Sequence, residues 1–335
     1  MLAVAGSGKT TFLVNLINLE RRFLIVTYTE NNVANILRRI IGKFGYIPTN
    51  ITLMSYFQFL IHVCYRPFLK DRVNARGITW NMPEDWTRFK KNELHYMTSH
   101  RLLYHNRIAK LCQIQSADLI KSRIEKFYDY FMVDEIQDLG GHDFNLLLSI
   151  LPTTIDCLFV GDFYQHTFDT SNDGNVNQGL YKDYKKYKKR WSETGITVDE
   201  SSLSNSHRCS ASTCDFVTQH LGIQIGSNRH DQTNITFVDN QDEAEAIFRD
   251  NSIVKLFFQE ANKYTCYAEN WGKSKGLDDF QDVCVVLNET TLQAYCKNEL
   301  HLLPPSTRNK LYVACTRSKG NIYFVPHPFF DGYKQ

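Results

Sequence analysis

Residues 3–10 of the chain read AVAGSGKT, which has the spacing of a phosphate-binding loop with Ala3 in place of the first glycine. In such a loop, backbone N–H groups and the N-terminus of the next helix bind phosphate oxygens. A chance GSGKT is possible, but the helix-like run KTTFLVNLINLERR (9–22) follows at once and favours nucleotide binding. The Lys9 ammonium would neutralise phosphate charge and the Thr10 hydroxyl would hold Mg²⁺. The predicted nucleotide contacts are Ala5, Gly6, Ser7, Gly8, Lys9, Thr10 and Thr11.

Composition places few limits on function. The 335 residues are 43% hydrophobic and 22% charged, as expected for a soluble globular chain with room for two domains. A formal net charge of +2 neither demands nor excludes a nucleic-acid partner. The nine cysteines contain no Cys-x-x-Cys pair, so we expect reduced thiols. We find no apolar run of membrane-span length and no signal peptide, and therefore expect a cytoplasmic protein without a membrane partner.

Short apolar runs alternate with helical patterns along the chain. The runs are RRFLIVTYT (21–29), YDYFMVDEIQD (128–138), IDCLFVGDFYQ (155–165), NITFVDN (234–240), DVCVVLNE (282–289) and NIYFVPH (321–327). The predicted helices are 9–22, 31–45, 211–222 and 241–263. This alternation predicts an α/β protein with parallel sheets, whose ligand sites lie at the carboxyl ends of strands.

Two of these runs end in residues suited to phosphoryl-transfer chemistry. Asp134 and Glu135 follow one run, where the first could hold Mg²⁺ and the second could take a proton from an attacking water. Gly161 and Asp162 follow the next run, and Gln165 could contact an attacking water or a γ-phosphate. Two solvated acids in a loop is the alternative interpretation for 134–135. The phosphate-binding loop weakens that alternative because it requires such partners.

The ordered motifs resemble those of superfamily 1 helicases of the UvrD/Rep-like group. The matching segments are AGSGKT (5–10), VTYTENNVANILRRI (26–40), MSYFQFL (54–60), VDEIQD (133–138), VGDFYQHTF (160–168), SNSHRCS (204–210), NWGKSKGLDDF (270–280) and KLYVACTRSKGNIYFV (310–325). Ser206 and His207 depart from the usual Asn-Tyr that precedes the arginine of the sixth segment. An ordered series of this kind is far more specific than any single motif.

The resemblance assigns roles to further residues. It implies catalysis by Lys9, Glu135, Gln165, Arg208 and Arg317, and nucleotide contacts from Arg39, His207, Gly276 and Asp278. It implies contacts to single-stranded DNA from Tyr28, Ser55, Tyr56, Phe168, Lys273 and Ser274.

The resemblance also implies an architecture and an activity. We expect two RecA-like parallel-sheet domains, 1–175 and 176–335, with ATP and Mg²⁺ in the cleft between them. The first would carry a reduced insertion at about 66–125, and the second accessory domain would be absent or vestigial. The expected activity is ATP-dependent movement on single-stranded DNA, 3′ to 5′, as a translocase or helicase.

Two other functions and one ambiguous segment stay open. The chain could be a DNA- or nucleotide-sensing ATPase subunit that regulates a partner nuclease in anti-phage defence. A small-molecule kinase would explain only the first motif. The lysines and aromatic residues of LYKDYKKYKKRW (180–191) could bind nucleic acid, but their three- and four-residue spacing favours a buried helical stripe.

The short segment before the loop leads to a further expectation. Met1 to Val4 could form only the end of the strand that carries the loop, and neighbouring strands would have to hold this stub in the sheet. Related helicases place an adenine-reading glutamine upstream of that strand. We therefore expect weak discrimination among nucleoside triphosphates.

Overall fold

The computed structural model describes residues 1–84, 87, 92–151, 153–167, 173, 175–277 and 279–335. The chain forms two compact units. The first comprises Met1, Lys9–Gly161 and the described residues of Phe168–Asp199, and the second comprises Leu2–Gly8, Asp162–Thr167 and Glu200–Gln335. The main segment of the second unit thus begins at Glu200, compared with the boundary at 176 expected from sequence. Both units have the predicted α/β class with parallel sheets.

The first unit is built on a four-stranded parallel sheet in the order β2-β1-β5-β6. The strands of the unit are β1 (Phe23–Thr27), β2 (Ile51–Ser55), β3 (Gly77–Thr79), β4 (Leu102–Tyr104), β5 (Tyr130–Val133) and β6 (Asp156–Phe159). Its α-helices are α1 (Lys9–Leu16), α2 (Glu30–Phe44), α3 (Tyr56–Phe59), α4 (Arg66–Val73), α5 (Ile108–Phe127), α6 (Gly141–Ser149) and α7 (Tyr184–Ser192). Every residue of β1 is buried, which is why this strand reads as a continuous apolar run.

A small second sheet lies within the segment expected to be a reduced insertion. Strands β3 and β4 pair in parallel, with Thr79 opposite Tyr104, and helices α4 and α5 flank them in sequence. Because parallel strands end at the same edge, the residues that follow them, Trp80 and His105, lie side by side.

The second unit contains a five-stranded parallel sheet in the order β11-β10-β12-β13-β9. The strands of the unit are β7 (Asn205–Ser206), β8 (Gly226–Ser227), β9 (Ile235–Phe237), β10 (Ile253–Phe257), β11 (Ala268–Asn270), β12 (Asp282–Leu287) and β13 (Ile322–Pro326). Its α-helices are α8 (Ala211–Leu221), α9 (Gln241–Arg249), α10 (Glu289–Cys296) and α11 (Pro305–Cys315).

The helix predicted over 241–263 is wrong beyond Arg249. Helix α9 ends there, and the apolar residues that follow form β10, which hydrogen-bonds to β11 on one side and β12 on the other. Lys255 interrupts the apolar run and obscures its strand character. Its side chain is nevertheless buried, because its ammonium donates to the carbonyls of Asp250 and Ile253 at 2.5 and 2.9 Å.

The aromatic stripe of LYKDYKKYKKRW is confirmed as a structural feature. Tyr187 and Trp191 on α7 are buried, as is Tyr181 just before the helix, and Trp191 packs edge-on against Phe144. The lysines at 185, 186 and 189 are exposed. All nine cysteines are unpaired in the structure. In the described part of the chain, no helix combines the length and apolarity needed to cross a membrane.

Candidate functional site

In the first unit, two motifs that are far apart in sequence meet at the carboxyl end of β5. The Thr10 hydroxyl, in the first turn of α1, donates to Oδ2 of Asp134 at 3.0 Å. The backbone N–H of Asp134 donates to the carbonyl of Val26 at 2.9 Å, which continues the sheet ladder to the carboxylate. The predicted pair of Mg²⁺ ligands is therefore brought together.

The charges around this pair suit a bound cation. Asp134 is 2% exposed. Burial and the adjacent Glu135 charge raise the pKa of Asp134 to about 7, against the opposing influence of Lys9 and of the Thr10 hydrogen bond. Two neighbouring carboxylates in a poorly solvated place repel each other, and a divalent cation relieves that repulsion. Thr10 and Asp134 thus offer oxygen ligands of the kind Mg²⁺ prefers.

Glu135 is held in an unusual backbone conformation directly after this pair. Its φ of 56° lies in the left-handed region, which is uncommon for a residue with a side chain and concentrates at functional sites. Gln137 donates from its amide to the Glu135 carboxylate, a partner that the sequence did not single out. Gly161 allows this arrangement, because a Cβ there would overlap the side chains of Gln137 and Ile136. The close approach explains the glycine of VGDFYQ.

Two predicted nucleotide contacts of the first unit also meet. The guanidinium of Arg39, on α2, donates to the Thr11 hydroxyl of α1 at 2.8 Å. Both side chains are exposed, and Lys9 beside them is 8% exposed. A second Arg39 nitrogen donates to Asn35 at 3.0 Å and fixes the guanidinium on its own helix.

In the second unit, the loop Leu2–Gly8 has the backbone of a phosphate cradle. Gly6 and Gly8 have φ values of +69° and +83°, which L-residues with a Cβ rarely adopt. A Cβ on Gly6 would lie 2.6 Å from Oγ of Ser206 and 2.7 Å from Cβ of Arg208. The hydroxyl of Ser7 is buried and has no hydrogen-bond partner among the described residues. The loop therefore offers a site for an oxygen-rich ligand.

A buried tyrosine ties this loop to two later motifs of the same unit. The N–H of Ala5 donates to the Tyr312 hydroxyl at 2.9 Å, and that hydroxyl donates to Oδ2 of Asp162 at 2.9 Å. Burial and the Asp162 charge raise the pKa of Tyr312 well above its ordinary value. Tyr312 lies inside the segment KLYVACTRSKG (310–320), where sequence analysis singled out only Arg317. Tyr312 and Asp162 are 150 residues apart in sequence, and only the fold brings them into contact.

The two candidate arginines of the second unit are neighbours. Arg208 donates to the carbonyl of Thr316 at 3.2 Å, and Arg317 follows directly and is 2% exposed. Ser206 orders the segment before Arg208, because its hydroxyl accepts from the N–H groups of Arg208 and Cys209 at 3.2 and 3.0 Å. Gln165 is buried at the end of a short 3₁₀ helix.

Among the described residues, the other ones predicted to contact ligands in the second unit have no hydrogen bond to one another. His207 is exposed; its N–H donates to the Gly6 carbonyl at 2.8 Å, and its ring lies 3.0 Å from the amide of Asn228. Lys273 and Gly276 are exposed, whereas Ser274 is fully buried and donates to the carbonyl of Trp271 at 2.7 Å. In this structure, the Ser274 side chain thus stabilises a turn. Phe168 and Asp278 lie outside the described residues.

The predicted DNA contacts of the first unit occur at the carboxyl ends of β1 and β2. Tyr28 is half-buried, and burial together with the charges of Asp143 and Asp138 raises its pKa to about 12. Tyr56 is buried and donates to Asp143 at 3.0 Å. Ser55 caps α3 through a reciprocal capping box with Gln58.

Comparison with known proteins identifies the family. Residues 113–326, more than half of the chain, match the viral superfamily 1 RNA helicase core domain. The chain belongs to this family. The helicase core match includes Asp134, Arg208 and Arg317 and begins after the phosphate-binding loop. The superfamily 1 resemblance is confirmed, and the branch that the match supports is the viral one, in place of the UvrD/Rep-like group.

Solved helicases share the fold of this helicase core. Arterivirus nonstructural protein 10 (helicase) in complex with DNA has a TM-score of 0.53 and 15% identity, with 99% of this chain and 61% of that chain covered. A crystal structure of Arterivirus nonstructural protein 10 (helicase) has a TM-score of 0.51 and 15% identity, with 99% and 60% covered. The chain therefore spans about three fifths of the length of these structures. No curated protein matches the chain in sequence.

Proposed function

We propose that the chain is the motor of an NTP-driven helicase that moves along single-stranded nucleic acid. The observation that carries the proposal is the hydrogen bond between Thr10 and Asp134, because it joins the phosphate-binding motif to the acidic motif 124 residues away. Membership of a helicase core family supports nucleic acid as the partner. That family favours RNA over the DNA expected from the UvrD/Rep resemblance.

Each predicted side chain has a role that its surroundings support. The N–H groups of Gly6 and Gly8 and the Lys9 ammonium would bind the phosphates, and Thr10 and Asp134 would hold Mg²⁺. When bound, Mg²⁺ would neutralise charge on the phosphate oxygens. Glu135, held by Gln137, would accept the proton of the attacking water. Arg208 and Arg317 would stabilise charge that develops on the transferred phosphoryl group.

Two substitutions at these residues test the hydrolytic proposal. Glu135→Gln keeps the shape of the side chain but removes the base, so NTP turnover should fall by about 100-fold or more. Thr10→Val should lower turnover by about 10- to 100-fold at limiting Mg²⁺, whereas Thr10→Ser, which keeps the hydroxyl, should stay near wild type. Equal turnover of Thr10→Val and Thr10→Ser would exclude the hydroxyl as a ligand.

A panel of strands tests the substrate and the motor activity. NTP hydrolysis is measured with single-stranded RNA, with single-stranded DNA and with no strand, and displacement is measured on duplexes with a 3′ or a 5′ tail. We expect stimulation by RNA and displacement from one tail polarity only. The 3′-to-5′ direction followed from the UvrD/Rep resemblance and is tested by the same duplexes. Stimulated hydrolysis without displacement would support the regulatory-subunit alternative, and absence of stimulation would contradict both.

A further inference from the structure

A cavity of about 190 Å³ in the first unit is lined mainly by aromatic side chains. Its lining includes Tyr28, Tyr56, Phe57, Trp80, His105 and Asp143. Trp80 and His105 lie between the third (54–60) and fourth (133–138) motif segments, in a stretch to which the sequence assigned no functional residue. The cavity is therefore lined both by residues of the motif segments and by residues that lie outside every motif segment.

Two strand registers place these rings together. Thr27 of β1 pairs with Ser55 of β2 in parallel, so the next residues, Tyr28 and Tyr56, emerge at one sheet edge. In the small sheet, Thr79 pairs with Tyr104, and the next residues are Trp80 and His105. Each parallel pair thus contributes two aromatic rings to the lining of the same cavity.

Trp80 is firmly placed although it is largely exposed. Its ring lies 5.1 Å from that of Phe57 and 5.0 Å from that of His105, measured between centroids. Even so, 65% of the residue is accessible to solvent. A tryptophan supported on two sides and open to solvent can offer its face to another flat ring.

The cavity lining also contains a buried polar group. The carboxylate of Asp143, on α6, is 7% exposed and accepts from the Tyr56 hydroxyl at 3.0 Å. This bond fixes the Tyr56 ring in the wall. Aromatic walls with a hydrogen-bonding group among them suit a ligand that is flat, aromatic and polar at its edge, which describes a nucleobase better than an aliphatic side chain.

We propose that this cavity binds one unpaired nucleobase of the substrate strand, stacked against Trp80. The inference rests on the proposed function, because it takes the strand to be the partner of the first unit. The position supports it: β1 pairs with β2, which leads to Tyr56, and with β5, which leads to Asp134 and Glu135. A base in the cavity would occupy the same sheet edge as the hydrolytic carboxylates.

Binding of matched strands by substituted proteins tests this. Fluorescence anisotropy would measure affinity for a single-stranded oligonucleotide and for a strand of equal length and charge that lacks bases at successive positions, each as RNA and as DNA. Trp80→Ala should bind the base-containing strand about 5- to 100-fold more weakly than wild type, the range for loss of one stacked base. Trp80→Phe should retain most of the affinity.

Two controls make the result specific. Ile114→Ala removes a side chain of the same unit that is 63% exposed, and it should leave both affinities unchanged. Trp80→Ala should bind the abasic strand as wild type does, since phosphate contacts are retained, and should remain folded at the assay temperature although it loses ring contacts with Phe57 and His105. Equal binding of the base-containing strand by Trp80→Ala and Ile114→Ala would overturn the inference. Failure of the wild-type protein to bind any strand would instead contradict the proposed function.

Discussion

The hydroxyl of Tyr312 donates to the carboxylate of Asp162 at 2.9 Å while it accepts the N–H of Ala5. Tyr312 is fully buried and Asp162 is 1% exposed. One phenol thus joins the phosphate-binding loop, Asp162 and helix α11 within the second unit. When a buried polar group loses such a partner, the folded state is destabilised, because no hydrogen bond then replaces the water that the group lost on folding.

Tyr312→Phe should therefore destabilise the protein by about 1–3 kcal/mol, because Ala5 and Asp162 each lose a hydrogen bond in a buried place. Urea unfolding would measure the free energy. Tyr46→Phe is the matched control, since Tyr46 is 55% exposed, and it should change stability little. Equal stability of the two variants would show that the buried phenol contributes nothing.

Substitution of two glycines should have opposite effects. Gly6→Ala places a Cβ against Ser206 and Arg208 at a φ of +69°, so we expect a loss of more than about 1 kcal/mol and weaker nucleotide binding. Gly42→Ala lies within α2, has nothing within 4 Å of its Cβ, and should stabilise by about 0.5–1 kcal/mol. Urea unfolding and nucleotide titration would measure both. The close-packed loop would be disproved if Gly6→Ala matched Gly42→Ala in both assays.

A buried ion pair in the first unit should make the free energy of unfolding decrease at acid pH. Arg107 and Asp173 lie 2.8 Å apart with side chains 1% and 5% exposed, and His142 lies 3.2 Å from the same carboxylate. Burial alone would raise the pKa of Asp173, but the hydrogen bonds with His142 and Arg107 outweigh it and hold that pKa well below its ordinary value. The folded pKa is therefore lower than the unfolded pKa of about 3.9.

The ion pair consequently stabilises the fold fully above about pH 4, and its contribution is lost as pH falls through the folded pKa. Asp173→Asn leaves the Arg107 charge buried and should cost about 3–5 kcal/mol at pH 7, with a flatter dependence at acid pH. Urea unfolding over a pH series would measure this. Asp331→Asn, which alters an exposed pair with His327, should have little effect. An Asp173→Asn curve parallel to that of wild type would contradict the linkage.

The sequence by itself determined the parts of this protein that depend on local chemistry. Continuous apolar runs identified β1, β5, β12 and β13, because a strand buried on both faces must be apolar throughout. An apolar run also identified β6, although this edge strand is only partly buried. The spacing of the phosphate-binding loop and the acids after β5 located Thr10 and Asp134, which the fold brings to 3.0 Å. Stripe periodicity also distinguished the buried face of α7 from its lysines.

Only the tertiary structure decided features that depend on which strand pairs with which, and in what register. Strand β10 was not predicted because Lys255 interrupts its apolar run. Burial of Lys255 depends on hydrogen bonds from its ammonium to backbone carbonyls. Tyr312 hydrogen-bonds to Asp162 because the fold brings these two residues together from positions 150 residues apart in sequence. Trp80 lines the same cavity as Tyr28 and Tyr56 because two separate parallel strand pairs end at it. Local propensity carries no information about such long-range pairing, since the same residues would have the same propensities in any register.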